Sequence, residues 1–197
     1  IGNVNRETVR MNANNNRART LVVDAGAQTT LSGLYMAYGP NTVVVEGQLA
    51  FSGNHDAVCL STRGNTVEDR FTVRTGGVLS CLPGTWFNIG VRGPATLSIE
   101  GGMAQLGCVG FGYRQQAEPF GGRYGRVFIS NGGTLDVTGL WNWMGDVNNI
   151  SRVNNVIVGD GSPAGATFHL PPTTQTDAAH WSARALNRRP LVTTGPA

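Results

Sequence analysis

Three histidines, twelve carboxylates and three cysteines are the side chains of this 197-residue chain with the most obvious chemistry. His55, His169 and His180 stand in separate loop or tail segments, and none has a serine or cysteine placed beside it as a nucleophile. His55-Asp56 reads as an exposed loop pair. The acids gather at turns (Asp24, Glu46, Glu100, Asp160) or in loops (Asp56, Glu68, Asp69, Glu118, Asp146). Asp24, Glu46 and Glu100 share one repeat position, a column of oxygen ligands that calcium would suit. Arg74 and Ser130 occupy that same position in other repeats, so solvated turn acids are the expectation. Cys59, Cys81 and Cys108 are an odd count without CxxC spacing, which argues against zinc. Cys81 and Cys108 each follow a Gly-Gly turn in successive repeats. That placement predicts either a disulfide between them or three small buried thiols. No catalytic residue, metal or cofactor is expected, and the chain reads as non-enzymatic.

What remains is surface chemistry. Aromatic residues recur at one repeat position, through Tyr35, Trp86, Trp141 and Trp143. Facing outward they would form a carbohydrate or protein-binding face; facing inward they are packing. Alternation puts Trp141 and Trp143 on one side and Asn142 on the other. All fifteen basic residues are arginine, whose planar charged fork suits interfaces. Residues 1–20 carry a net charge of +3 (Arg6, Arg10, Arg17 and Arg19 against Glu7). Residues 178–197 carry another +3 from Arg184, Arg188 and Arg189, and the body between them carries −3. Basic tails around an acidic body favour contact between copies of the chain, with these arginines and Trp181 as the candidate interface. Such thin positive charge argues against nucleic acid as the partner. No apolar run approaches the roughly 18 residues of a membrane helix.

The elements that must position these groups are strands. RVFISNGGTLDVTGLWNWMG (126–145) alternates Val127 with Ile129, turns at Asn131-Gly132-Gly133, alternates again through Leu135 and Val137, and enters an aromatic piece after Gly139. Its pattern recurs. The last β-branched residues before each glycine turn are Val23, Val45, Val73, Ile99, Ile129 and Val158, spaced 22, 28, 26, 30 and 29 residues apart. Glycine fills 28 of the 197 positions, and it recurs with the apolar alternation, which excludes collagen and a flexible linker. A coil of this length buries an apolar face only against its neighbours, so the period predicts a solenoid. Leu31, Leu49, Leu79, Leu106 and Leu135 are expected at equivalent inward positions.

ATLSIEGG (95–102), RVFISNGGTLDVTG (126–139) and TWFNIG (85–90) resemble the right-handed parallel β-helix repeats of bacterial surface and autotransporter-passenger proteins. The resemblance spans roughly 21–170. It implies an all-β fold, a short β-helix of about six three-strand coils, with an N-terminal arm (1–20) and a C-terminal tail (171–197). A β-sandwich or jelly roll is the alternative. No capping helix precedes Leu21, so the ends of the stack are expected to be open, the alternative being that the N-terminal arm or WSARALNRR (181–189) serves as a cap. The function expected is that of an extracellular or cell-surface structural protein whose partners are copies of itself, assembling into a filament, sheath or surface layer. Two alternatives are a module of an adhesin or phage-tail-like fibre that binds cell-surface polysaccharide or a receptor, and a capsid-type shell protein with basic arms.

Overall fold

The structure, a computed structural model, describes residues 5–12, 18–62, 67–111, 125–139, 141–142, 155–159, 163–169 and 192–194. Alternating apolar positions make strands with one buriable face, and these strands stack in parallel. One sheet takes the first strand of each coil: β2 (Arg19–Val23), β4 (Asn41–Val45), β7 (Asp69–Arg74), β10 (Ala95–Glu100), β13 (Gly125–Ser130), β16 (Asn155–Val158) and β18 (Val192–Thr194) lie side by side in chain order. A second face stacks the N-terminal half of β3 (Gln28–Ala37) with β5 (Gln48–Phe51), β8 (Val78–Cys81), β11 (Met103–Leu106), β14 (Thr134–Val137) and β17 (Thr167–His169). The third face stacks the C-terminal half of β3 with β6 (His55–Cys59), β9 (Thr85–Ile89), β12 (Cys108–Phe111) and β15 (Trp141–Asn142). The described ladders are parallel, as a solenoid requires and an antiparallel sandwich forbids. The chain is an all-β parallel solenoid.

The six-coil expectation needs correction. Four coils carry all three strands, about four turns in total, flanked by a two-strand first coil (β2, β3) and a last one described as β16 and β17. The first coil lacks a second corner for want of chain. Leu31 pairs with Phe51 and Leu34 with Val58, so the next coil spends seven residues where the first has three. The backbone then runs straight through Gly33 as one ten-residue strand.

The β-branched column is realised in the backbone register. Val23, Val45, Val73, Ile99, Ile129 and Val158 are successive cross-strand partners, and all but Val158 are buried. The leucines separate into two columns. Leu49, Leu79, Ala104, Leu135 and Phe168 form one; Leu31, Phe51 and Cys81 lie on the other, as do Leu106 and Val137. All five leucines are buried, but Leu31 and Leu106 lie two residues along from the rest. Phe71 and Phe87 fill the middle of the core edge to face, with centroids 5.3 Å apart.

Close stacking explains the glycines. A Cβ at Gly107 would land on the Leu82 carbonyl oxygen of the coil before, and one at Gly77 on the Val45 carbonyl oxygen. The turn backbone joins the ladder there: Val78 N–H donates to Gly47 O (2.8 Å), Met103 N–H to Gly77 O (3.0 Å) and Thr134 N–H to Gly102 O (3.0 Å).

The N-terminal end is covered. β1 (Asn5–Asn12) runs parallel to β3, with Val9 opposite Leu34 and Met11 opposite Met36. Met11 is 6% exposed, and Leu21, Val23 and Leu31 of the first coil are 7%, 0% and 1% exposed. Of the two expectations for this end, an open edge and a cap by the N-terminal arm, the second is the one the structure shows. The signal was a strand, since Val9 and Met11 already alternate, and no helix was needed. At the far end Val158, Ala166 and Phe168 pack on the core yet stay half-buried. β18 pairs with β16, so the segment 171–197 returns a strand to the stack.

Candidate functional site

Tyr35 on β3 and Trp86 on β9 point away from the core, each half-buried. Arg10 of β1 is the cross-strand partner of Tyr35, and its guanidinium carbon sits 5.5 Å from the ring centroid. Arg10 is therefore engaged within its own chain by a cation–π contact. The neighbouring Thr8 and Ser32 hydroxyls are 2.9 Å apart. Trp86 lies over the next coil at Gly110, where an added Cβ would touch ring atoms Cε3 and Cζ3 at 3.4 and 3.6 Å. The backbone of Trp141 pairs with that of Val109, in line with the inward column Val58–Phe87–Val109. Trp143 lies outside the described residues. The proposed aromatic row thus separates: Tyr35 and Trp86 face outward, while Trp141 takes the register of a core position.

Among the other expected interface residues, Arg19 opens β2 and is exposed, its N–H donating to Pro40 O at 3.3 Å. Arg6 lies in β1. Arg17, Trp181, Arg184, Arg188 and Arg189 lie outside the described residues.

Of the two alternatives for the cysteines, the disulfide between Cys81 and Cys108 is not made. Cys59, Cys81 and Cys108 form no disulfide. Cys81 closes β8 opposite Phe51 on the second face, whereas Cys108 opens β12 opposite Trp86 on the third. The two stand on different sides of a corner, and the Cys108 thiol donates instead to Pro83 O (3.4 Å). Burial pushes the Cys81 thiol up to about 12, against the opposing pull of the Gly107 N–H. A thiol held protonated in this way is a poor nucleophile.

The turn acids behave as solvated charges with local partners. In the column of first-corner residues, Arg74 stands between Glu46 and Glu100 and pairs with Glu46 at 2.8 Å, Arg74 exposed and Glu46 half-buried. Glu68 bridges Arg70 (3.0 Å) and the Thr96 hydroxyl across two coils. No group of three or more His, Cys, Asp and Glu side chains able to hold a metal occurs among the described residues. His169 is exposed on β17, opposite Asp136 of β14.

One acid departs from the loop expectation. Asp69 opens β7 and is fully buried. Its Oδ1 accepts the Asn41 N–H (2.8 Å) and the Asn41 side-chain amide (2.9 Å), and its Oδ2 accepts the Ser61 N–H (3.1 Å). Asn41 also donates to Ala37 O (3.1 Å). Burial raises the Asp69 carboxyl above its ordinary range, with the Asn41 and Ser61 bonds pulling it down. The repeat carried a signal for this cluster, because Asn41 and Asp69 each stand four residues before the column valines Val45 and Val73. An inward position in two coils is thus polar where later coils place Ala95 and Gly125.

Comparison with family models, with curated proteins and with solved structures finds no match to this chain. The residues above and the fold are what bear on function.

Proposed function

We propose that this chain is a non-enzymatic structural protein of the cell surface or extracellular space that adds to copies of itself along the solenoid axis. The product is a filament, sheath or surface layer. The observation that supports this reading is the last described coil, where Ala166 and Phe168 pack against the core and are half-buried. A parallel coil from another copy, with the same strand spacing, would bury them and extend the ladders by the rule that joins the coils within the chain. The opposite charges of tails and body favour the same association. A contact between unlike ends propagates into an open chain or closes as a ring. Electron microscopy and sedimentation at low and high salt test this. Ordered polymers that loosen with salt are expected, and a stable monomer at micromolar concentration in low salt sinks the idea. Exchanging Arg188 and Arg189 for Glu is expected to weaken assembly.

A second reading rests on Trp86. A half-buried indole lying over glycine on a flat parallel sheet suits stacking against a sugar ring. The chain would then be a glycan- or receptor-binding module. A glycan array with wild type and Trp86→Ala separates the readings, because assembly by the ends survives that substitution and sugar stacking does not.

A further inference from the structure

The corner that joins the third face to the first contains the fully buried side chains Asn41, Ser61 and Asp69. Three N–H groups hold the Asp69 carboxylate, and no ion pair reaches it among the described residues. The same cluster holds two buried oxygens without a hydrogen-bond partner, Asn41 Oδ1 and Ser61 Oγ. Buried charge without a counter-charge is strongly disfavoured, and so are buried acceptors without donors. One proton on Asp69 removes the charge and adds one donor to a cluster that holds an unfilled acceptor, Asn41 Oδ1.

Among the described residues, the charged groups nearby do not supply that positive charge. Arg19 on β2 is opposite Asn41, one strand further from Asp69, and it is exposed. Glu68 and Arg70, on either side of Asp69 in the chain, bind each other. In the corner that follows β9, Arg92 meets the cluster through its backbone N–H, which donates to Ser61 O at 2.7 Å. The elements on the other side present Pro94, whose carbonyl accepts the Asp69 N–H (3.1 Å), and Ala95, both neutral.

We propose that Asp69 is a proton-binding site that ties the corners of adjacent coils, so that the solenoid is more stable in acid than in neutral solution. The direction follows from linkage. An acid whose folded pKa is raised binds more protons folded than unfolded between the two values. Its contribution is fully present below the unfolded value, near 3.8, and is lost as pH rises through the folded one. A surface protein built this way would resist acidic surroundings.

The test compares thermal unfolding of the full chain at pH 4.5 and pH 7.5 with that of Asp69→Asn, which mimics the protonated shape without titrating. The expected result is a wild-type Tm lower at pH 7.5 by roughly 3 °C or more relative to the change in the variant. A wild-type-to-variant difference independent of pH, or one of opposite sign, overturns the proposal. Arg63, two residues after Ser61 in the sequence and outside the described residues, is replaced by Gln in a parallel variant; loss of the pH dependence there assigns the effect to an ion pair and also overturns the proposal. So does stabilisation by added calcium or sodium chloride that Asp69→Asn abolishes, which would make the cluster a cation site. If Asp69→Asn does not fold, the carboxyl carbon-13 shift of Asp69 in the wild-type protein reads the proton directly. Titration above the ordinary carboxylate range supports the site, and titration at or below that range refutes it.

Discussion

The two ends of this solenoid solve the same problem differently. Each coil buries its apolar interior against the next, so the coils at the two ends depend on other segments of the chain to cover them. At the N-terminal end, β1 lies along β3 and places Met11 beside Met36, and the inward residues of the first coil are almost wholly buried. In the last described coil Val158 and Phe168 continue inward columns and, with Ala166, stay half-buried, although β18 lies beside β16 there. The interior rows are therefore continuous, while their burial depends on what lies beyond the last coil. A single eight-residue strand is enough to close one end, which makes the ends the places where association is decided.

Substitutions along the axis test that contrast. The largest effect is expected from Phe87→Ala in the middle of the stack, a loss of about 3–5 kcal/mol in urea unfolding. Phe168→Ala, half-buried in the last described coil, is expected to lose about 1 kcal/mol, and equal losses would break the contrast. Met11→Asp puts a charge where the N-terminal strand closes the core and is expected to lose about 3 kcal/mol. Ala166→Asp at the other end is expected to change stability by less than about 1 kcal/mol while reducing assembly measured by sedimentation. Gly107→Ala pushes a methyl into the Leu82 carbonyl of the preceding coil. A loss of about 1–3 kcal/mol is expected from that overpacking. Arg10→Ala removes the contact on Tyr35 that helps to seat β1. Its expected effect is about 0.5 kcal/mol, visible as faster amide exchange in β1 before it is visible in the midpoint. Glu46→Gln, which breaks an exposed pair with Arg74, is the smallest, below about 0.5 kcal/mol and absent in high salt.

The sites were legible to different degrees, for physical reasons. Outward Trp86 and inward-register Trp141 share a sequence position by eye. Short aromatic pieces around glycine carry too little alternation to phase them, and a one-residue slip reverses the face. Cys81 and Cys108 both follow a Gly-Gly turn, but one ends a second strand and the other begins a third. Distance from the turn was a poor guide because the second corner varies in length. Asp69 looked like a loop acid because RGNTVEDR (63–70) is charged throughout. Its burial follows from the column that runs through Val73, which places the residue four positions earlier on the inner side.

By itself the sequence determined an all-β repeat and favoured a solenoid over a β-sandwich, and the parallel ladders decided between the two. Apolar alternation, a glycine turn and a spacing of 22–30 residues recur through the body, and stacking is how coils of that length bury their apolar faces. It also determined the main interior column, because β-branched residues beside glycine turns have a local meaning that needs no knowledge of neighbours. Tertiary structure decided how many coils are complete, that β1 folds back along β3, which aromatics face out, and that Asp69 lies inside. Each of these depends on register between segments far apart in the chain. Register is set by cross-strand packing and by the length of chain between corners, which the local pattern alone does not specify.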